Sequence, residues 1–205
     1  ELKTILKKIH PWSTINHGMT ALDTVLRLYT KTIPEILGKG CEIQILSPQV
    51  RGSLGTVNLN LQIQKTINPE SSNKKQITLG DRIYRESDRV IQTRNNYDLG
   101  VFNGDIGVIQ SIDLNNFVCK VYFQGHKQSF EYSKSDLSDL QLAYGITIHK
   151  SQGSEFQAVI IPVTTQHYKM LFRNLINTGW TRAKKLAIFV GNRKALPMAI
   201  QTTNQ

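Results

Sequence analysis

The stretch Thr147-Ile-His-Lys-Ser-Gln-Gly-Ser-Glu-Phe156 is polar, holds one glycine and lies between two apolar segments, Leu140–Ile146 and Phe156–Val163. Further along, Thr178-Gly-Trp-Thr-Arg-Ala-Lys-Lys185 sets Arg182, Lys184 and Lys185 directly before another apolar run, Leu186–Gly191. Hydroxyl, imidazole and amide groups at Thr147, His149, Ser151 and Gln152, with Lys150 among them, suit contact with phosphate oxygens. An arginine offers a planar fork of donors that a lysine lacks. Glu155 is the single acid in residues 141–205, against eight Lys and Arg, a local net charge of +7 within a chain total of +10. A basic excess this concentrated points to a polyanionic partner, phosphate or nucleic acid.

A second arginine, Arg51, lies in Ser47-Pro-Gln-Val-Arg-Gly-Ser-Leu-Gly-Thr-Val-Asn-Leu-Asn60, a glycine-containing loop between an expected strand and an expected helix. That position lets it reach an anion. Gly153 would let backbone N–H groups approach phosphate, although turn geometry alone could also demand a glycine there. His149 has no second His or Cys nearby, so a metal or general-base role is not indicated. Cys41 and Cys119 stand far apart, without metal-ligand spacing, and read as reduced core thiols.

The elements that must hold these groups follow from periodicity. Leu2–Ile9 spaces its apolar residues as a short amphipathic helix, and Thr20 can cap a second helix that ends before Pro34. Glu42–Leu46 alternates as a strand, and about Thr56 to Ile67 reads as a helix stopped by Asn68-Pro69. From about Ile77 to Asp136 short apolar runs alternate with turn signals (Asn95-Asn96, Asn103-Gly104-Asp105, Asn115-Asn116, Gly125), the texture of a small antiparallel barrel of five strands. Tyr97 and Phe102 in this region could be turn chemistry or could stack bases. After Asp136 come strand Leu140–Gly145, the polar loop, a strand closed by Pro162, a helix over about Lys169–Thr178, strand Leu186–Val190 and a final helix. Strand–helix–strand order favours a parallel sheet with covering helices, so the barrel reads as an insertion into one α/β domain. No run approaches the ~20 apolar residues of a membrane span. The chain starts at Glu1 without an initiator Met or a signal-peptide layout, which suggests a piece of a longer protein.

Together these stretches resemble the superfamily-1 DNA helicases of the RecD type, the family of the exodeoxyribonuclease V alpha subunits. Ser47–Asn60 is similar to the family's motif IV, Leu142–Phe156 to motif V and Asn177–Lys185 to motif VI. Arg94–Asp98 and Val101–Gly107 resemble the inserted barrel, which has a Src-homology-like fold. The resemblance covers roughly residues 42–191, and the last two motifs are highly specific in combination. It implies an α/β fold: a RecA-like parallel sheet with covering helices, carrying the small all-β barrel. The implied order is the first part of the second RecA-like motor domain over 1–79, the barrel over 80–135 and the rest of the motor domain over 136–205.

The resemblance also implies roles. Arg182 corresponds to the arginine finger, and Arg51 to a second arginine that reaches the γ-phosphate. Glu155 corresponds to the group that binds the nucleotide ribose, with Gly153 beside it. Thr147, His149 and Ser151, completed by Lys150 and Gln152, correspond to residues on the single-stranded DNA backbone. The intact protein would be a cytoplasmic ATP-dependent 5′–3′ DNA helicase of recombination and repair, using ATP and Mg²⁺. Its partners would be single-stranded DNA and an upstream motor domain of the same chain, with other nuclease or helicase subunits as further candidates. No Gly-x-x-x-x-Gly-Lys-Ser/Thr phosphate loop occurs in this sequence, so the phosphate loop and Mg²⁺ ligands are expected in that upstream domain. Two departures stand out: Gly145 where the family usually has Ala, and Asn177-Thr-Gly-Trp-Thr-Arg182 where it commonly has Tyr-Thr-Ala-Val-Thr-Arg. Gly179 within a helix costs about 1 kcal/mol relative to Ala, and Trp180 would need a large pocket. The alternatives are an ATP-uncoupled module that clamps single-stranded nucleic acid, and an RNA helicase of a related branch.

Overall fold

A computed structural model describes residues 20–163 and 178–191. The expected helices at Leu2–Ile9 and after Gly191, and nearly all of the one over 169–178, lie outside the described residues. The chain divides into two compact units, one built from residues up to Leu59 and from Gly145 onward, the other from Asn60–Tyr144.

The first unit opens with helix α1, Ala21–Arg27. Thr20 caps it: its Oγ1 accepts from the Asp23 N–H at 3.1 Å, and Asp23 Oδ2 accepts from the Thr20 N–H at 3.0 Å. This reciprocal pair satisfies two donors that a helix start otherwise leaves open. Contrary to the expectation from the sequence, the helical path does not stop before Pro34. It widens into a π turn over Leu28–Thr32 and continues as α2, Ile33–Leu37. The Ile33 N–H reaches back five residues to Leu28 O, a register that makes room for a proline ring that would otherwise press on the preceding turn. Gly38, at φ +101°, ends it.

The sheet of this unit is parallel throughout. Its strands are β1 (Ile43–Ser47), β9 (Gly145–Thr147), β10 (Phe156–Val163) and β11 (Ala183–Gly191), in the order β11-β10-β1-β9. All five residues of β1 are buried, as are seven of the eight of β10, the run of apolar positions expected where a parallel sheet is covered on both faces. Pro162 does not close β10; it pairs in register with Val190. The β1 ladder on that strand ends at Ile160, so the missing proline N–H falls beyond it. Helix α3, Thr56–Ile67, follows β1 and carries the chain into the second unit.

The second unit holds the hairpin β2 (Gln76–Leu79) and β3 (Arg82–Arg85) and an antiparallel sheet. The sheet comprises β4 (Arg89–Gln92), β5 (Ile106–Asp113), β6 (Val118–Phe123), β7 (Gln128–Tyr132) and β8 (Leu140–Leu142), ordered β7-β6-β5-β4-β8. Inward positions of β5 and β6 (Ile109, Ile112, Cys119, Val121, Phe123) join Tyr84, Val90, Phe130, Tyr132 and Leu140 in one core, the alternation that marks a half-buried strand. The single expected strand Leu140–Gly145 is therefore two strands of different sheets: β8 pairs with β4, while β9 pairs with β1.

Among the described residues no helix is long and apolar enough to cross a membrane.

Candidate functional site

The loop from β1 to α3 is held by its own bonds. Ser47 Oγ donates to Leu54 O at 2.7 Å, and the Thr56 and Val57 N–H groups donate to Gln49 O and Val50 O at 3.1 and 3.2 Å. Leu54 is buried beneath it, and a Cβ on Gly55 would stand 2.4 Å from the carbonyl oxygens of Val50 and Arg51, so only glycine fits. Arg51 sits exposed on this tight loop.

Strand β9 runs beside β1, with Ser47 level with Thr147, and the Ile148 N–H donates to Ser47 O at 3.1 Å. The polar segment then turns through a short 3-10 helix, His149–Ser151. His149, Lys150 and Gln152 are exposed, and Thr147 is half-buried with its Oγ1 accepting from the Lys150 N–H at 3.4 Å. Ser151 departs from the expectation of a surface contact. It is fully buried, and its hydroxyl donates to Ile148 O at 2.6 Å, so it closes the turn that presents its neighbours. Gly153 has φ +79° with nothing within 4 Å of a Cβ position; the backbone conformation, rather than lack of space, calls for glycine.

Arg182 and Glu155 meet where β10 and β11 begin. The Phe156 N–H donates to Arg182 O at 2.8 Å. The Arg182 guanidinium is half-buried, with Nε donating to Thr178 O at 3.2 Å, Nη1 to Ser154 O at 3.4 Å and Nη2 to Thr181 Oγ1 at 3.4 Å. Glu155 immediately precedes β10 and pairs with Lys184, Nζ to Oε2 3.2 Å, both side chains more than half exposed. An exposed pair of this kind contributes only about 0–1 kcal/mol, so Glu155 can exchange Lys184 for another partner at little cost. Chemically the cluster offers a guanidinium anchored on backbone carbonyls, suited to an anion, beside a carboxylate suited to hydroxyl groups.

The parallel sheet thus sorts the expected residues into two groups. Arg51 and Thr147–Gln152 leave the C-terminal ends of β1 and β9; Glu155 and Arg182 precede the N-terminal ends of β10 and β11. Gly179 packs on apolar side chains, its Cβ position 3.0 Å from Ile161 Cδ1 and 3.7 Å from Ile148 Cδ1. Trp180 does not occupy a pocket: it is 54% exposed and stacks on Phe189, centroids 5.3 Å apart. No group of three or more His, Cys, Asp or Glu able to hold a metal ion occurs among the described residues.

A feature not foreseen from the sequence is the buried carboxylate Asp88. It accepts from Gln64 Nε2 (2.7 Å), Asn68 Nδ2 (2.7 Å), the Arg85 N–H (2.7 Å) and Tyr144 Oη (2.8 Å). Its one visible signal is an acid directly before the strand Arg89–Gln92.

Comparison with known proteins adds the following. The family described as the ATP-dependent RecD-like DNA helicase SH3 domain matches residues 59–123, and the UvrD-like helicase C-terminal domain matches residues 142–190. The ATP-dependent RecD2 DNA helicase of Deinococcus radiodurans is 32% identical over 82% of this chain and 22% of its own length. The RecBCD enzyme subunit RecD of Haemophilus influenzae is 29% identical over 78% of this chain and 23% of its own. The chain therefore spans about a quarter of the length of these relatives. Among solved structures, Bacteroides Pif1 helicase in complex with ADP-AlF3 and single-stranded DNA aligns over 88% of this chain and 50% of that one, with a TM-score of 0.54 and 17% identity. At that identity the likeness speaks for the fold, an α/β sheet with an SH3-like unit.

Proposed function

Since the chain belongs to the RecD-like superfamily-1 helicases, carrying the RecD-like SH3 domain ahead of the UvrD-like C-terminal helicase domain, we propose that it is the C-terminal motor portion of an ATP-dependent DNA helicase. In this reading the intact protein moves 5′ to 3′ along single-stranded DNA in recombination and repair. The chain supplies half of the nucleotide site and part of the DNA track, and an upstream motor domain supplies the phosphate loop and the Mg²⁺ ligands. A role beside other nuclease subunits is supported by the relatives named as RecBCD subunits.

One observation carries the reading: Arg182 is anchored on Thr178 O and Ser154 O, beside Glu155, at the start of two adjacent strands. Phosphoryl transfer spreads negative charge over the γ-phosphate oxygens, and a pre-oriented guanidinium stabilises that charge without reorganising. Glu155 accepts from the ribose hydroxyls, and Gly153 shapes the turn that carries it. A module that only clamps nucleic acid has no use for this pair. On the other group, Thr147, His149, Lys150 and Gln152 contact the DNA backbone, with Ser151 shaping their turn.

ATP turnover of the intact protein tests this. Arg182→Ala lowers it by about 10³-fold with nucleotide binding retained, and Arg182→Lys does not restore it, since a point charge lacks the planar fork. Near-normal turnover in Arg182→Ala would overturn the assignment. Because Arg51 leaves the other end of the sheet, Arg51→Ala is read separately. Loss of turnover at saturating DNA assigns it to the γ-phosphate, and loss of DNA affinity alone assigns it to the track.

A further inference from the structure

Three aromatic rings of the second unit stand together outside its hydrophobic core. Tyr97 is 78% exposed and Phe102 41% exposed, and their centroids lie 6.0 Å apart, edge to face. Phe102 in turn stacks on His126, centroids 6.5 Å apart and planes 28° from parallel, and His126 Nε2 lies 2.7 Å from Asp105 Oδ2. The loop that displays them is closely bonded. The Leu99 N–H donates to Asn96 Oδ1 at 3.0 Å, the Phe102 N–H to Asp105 Oδ2 at 2.8 Å and the Asn103 N–H to Asn95 Oδ1 at 3.0 Å. The Asn96 and Val101 backbones bridge each other, and the fully buried Val101 anchors the loop in the core.

Rings fixed in water by such a loop lose little freedom when a flat ligand settles on them, which is what a stacking platform requires. Arg94, its side chain 80% exposed, adds a second planar group on the same loop. Charge decides between binding modes. Residues 60–144 hold ten Lys and Arg against ten Asp and Glu, a net charge of zero, so the chain's +10 lies entirely elsewhere. A neutral unit is poorly suited to tracking phosphates but well suited to bases.

We propose that Tyr97 and Phe102, backed by His126, form a stacking platform for unpaired nucleobases. The proposal rests on the nucleic-acid reading above and adds to it a site that contacts bases and is independent of charge.

The test is fluorescence anisotropy of the intact protein with a labelled oligothymidine and with an abasic strand of equal length, each at low and high salt. Tyr97→Ala, Tyr97→Leu and Phe102→Ala each weaken oligothymidine binding roughly tenfold, by the same factor at both salts, and leave abasic binding unchanged; Tyr97→Trp binds as the parent does. The leucine variant keeps apolar bulk, so its loss reports the missing ring plane rather than a disturbed fold. No loss on oligothymidine, or equal losses on both strands, overturns the platform while leaving the nucleic-acid reading in place. A parent protein that binds neither strand overturns both.

Discussion

Tyr144 Oη donates to Asp88 Oδ1 at 2.8 Å, across 56 residues of sequence. Tyr144 is the last residue of the second unit and the neighbour of Gly145, where β9 and the polar loop begin. Gln64 of α3 and Asn68, the residue just after that helix, bond the same carboxylate at the unit's entry. The entry and exit of the unit therefore share one buried acceptor.

Asp88→Ala is accordingly expected to destabilise the protein by about 3 kcal/mol, because several buried donors lose their acceptor together. Tyr144→Phe removes one donor only and costs about 1 kcal/mol. Urea denaturation measures both; equal effects of the two substitutions would contradict the shared-acceptor arrangement.

Gly145 has ordinary van der Waals room for a methyl group, with Leu59 Cβ at 3.5 Å and Ile45 Cβ at 3.8 Å from the Cβ position. Gly145→Ala should raise stability by about 0.4–1 kcal/mol, chiefly by restricting the unfolded chain. Thermal melting shows the gain, and a lowered Tm would mean the strand cannot accept the side chain.

Alkaline pH should weaken the fold. Burial pushes the Cys119 thiol up to about 12, with Glu86 and Asp88 adding to the rise, and burial also raises Tyr84 and Tyr132. Each group keeps its proton in the folded state at a pH where the unfolded chain has lost it. The contribution is whole below about pH 9 for Cys119 and below about pH 10 for the two tyrosines, and above that each declines by about 1.4 kcal/mol per pH unit until the folded group itself ionises. The same protonated state leaves Cys119 unreactive toward a disulfide reagent at pH 8 until the protein is unfolded, whereas half-buried Cys41 reacts in the native state. Rapid labelling of both thiols in native protein would contradict this.

Binding of single-stranded DNA should fall steeply with salt through the basic unit. Lys150→Ala removes one phosphate contact and should flatten the log–log slope by roughly 0.7, with similar losses on unrelated sequences. An unchanged slope would remove Lys150 from the track.

The sequence alone determined the local and chemical parts of this protein. Thr20 is a helix cap by residue type and position, Arg89–Gln92 and Gln128–Tyr132 are strands at the bounds their apolar runs and turn residues suggest, and the motif residues around Glu155 and Arg182 carry the family. These are matters of neighbours within a few positions, where period and hydrogen-bonding options leave little choice. What needed the tertiary structure were choices between partners distant in sequence. Nothing in Leu140–Gly145 says that β8 joins β4 while β9 joins β1, because both halves are equally apolar and only the available ladder edge decides. Ser151 reads like its exposed neighbours until the 3-10 turn points its hydroxyl at Ile148 O. Trp180 finds Phe189 rather than a pocket. Asp88 looks like any surface acid until α3, Asn68 just after it, β3 and Tyr144 bring four donors to it; a buried carboxylate is tolerable only when such donors arrive, and that is settled by the fold as a whole.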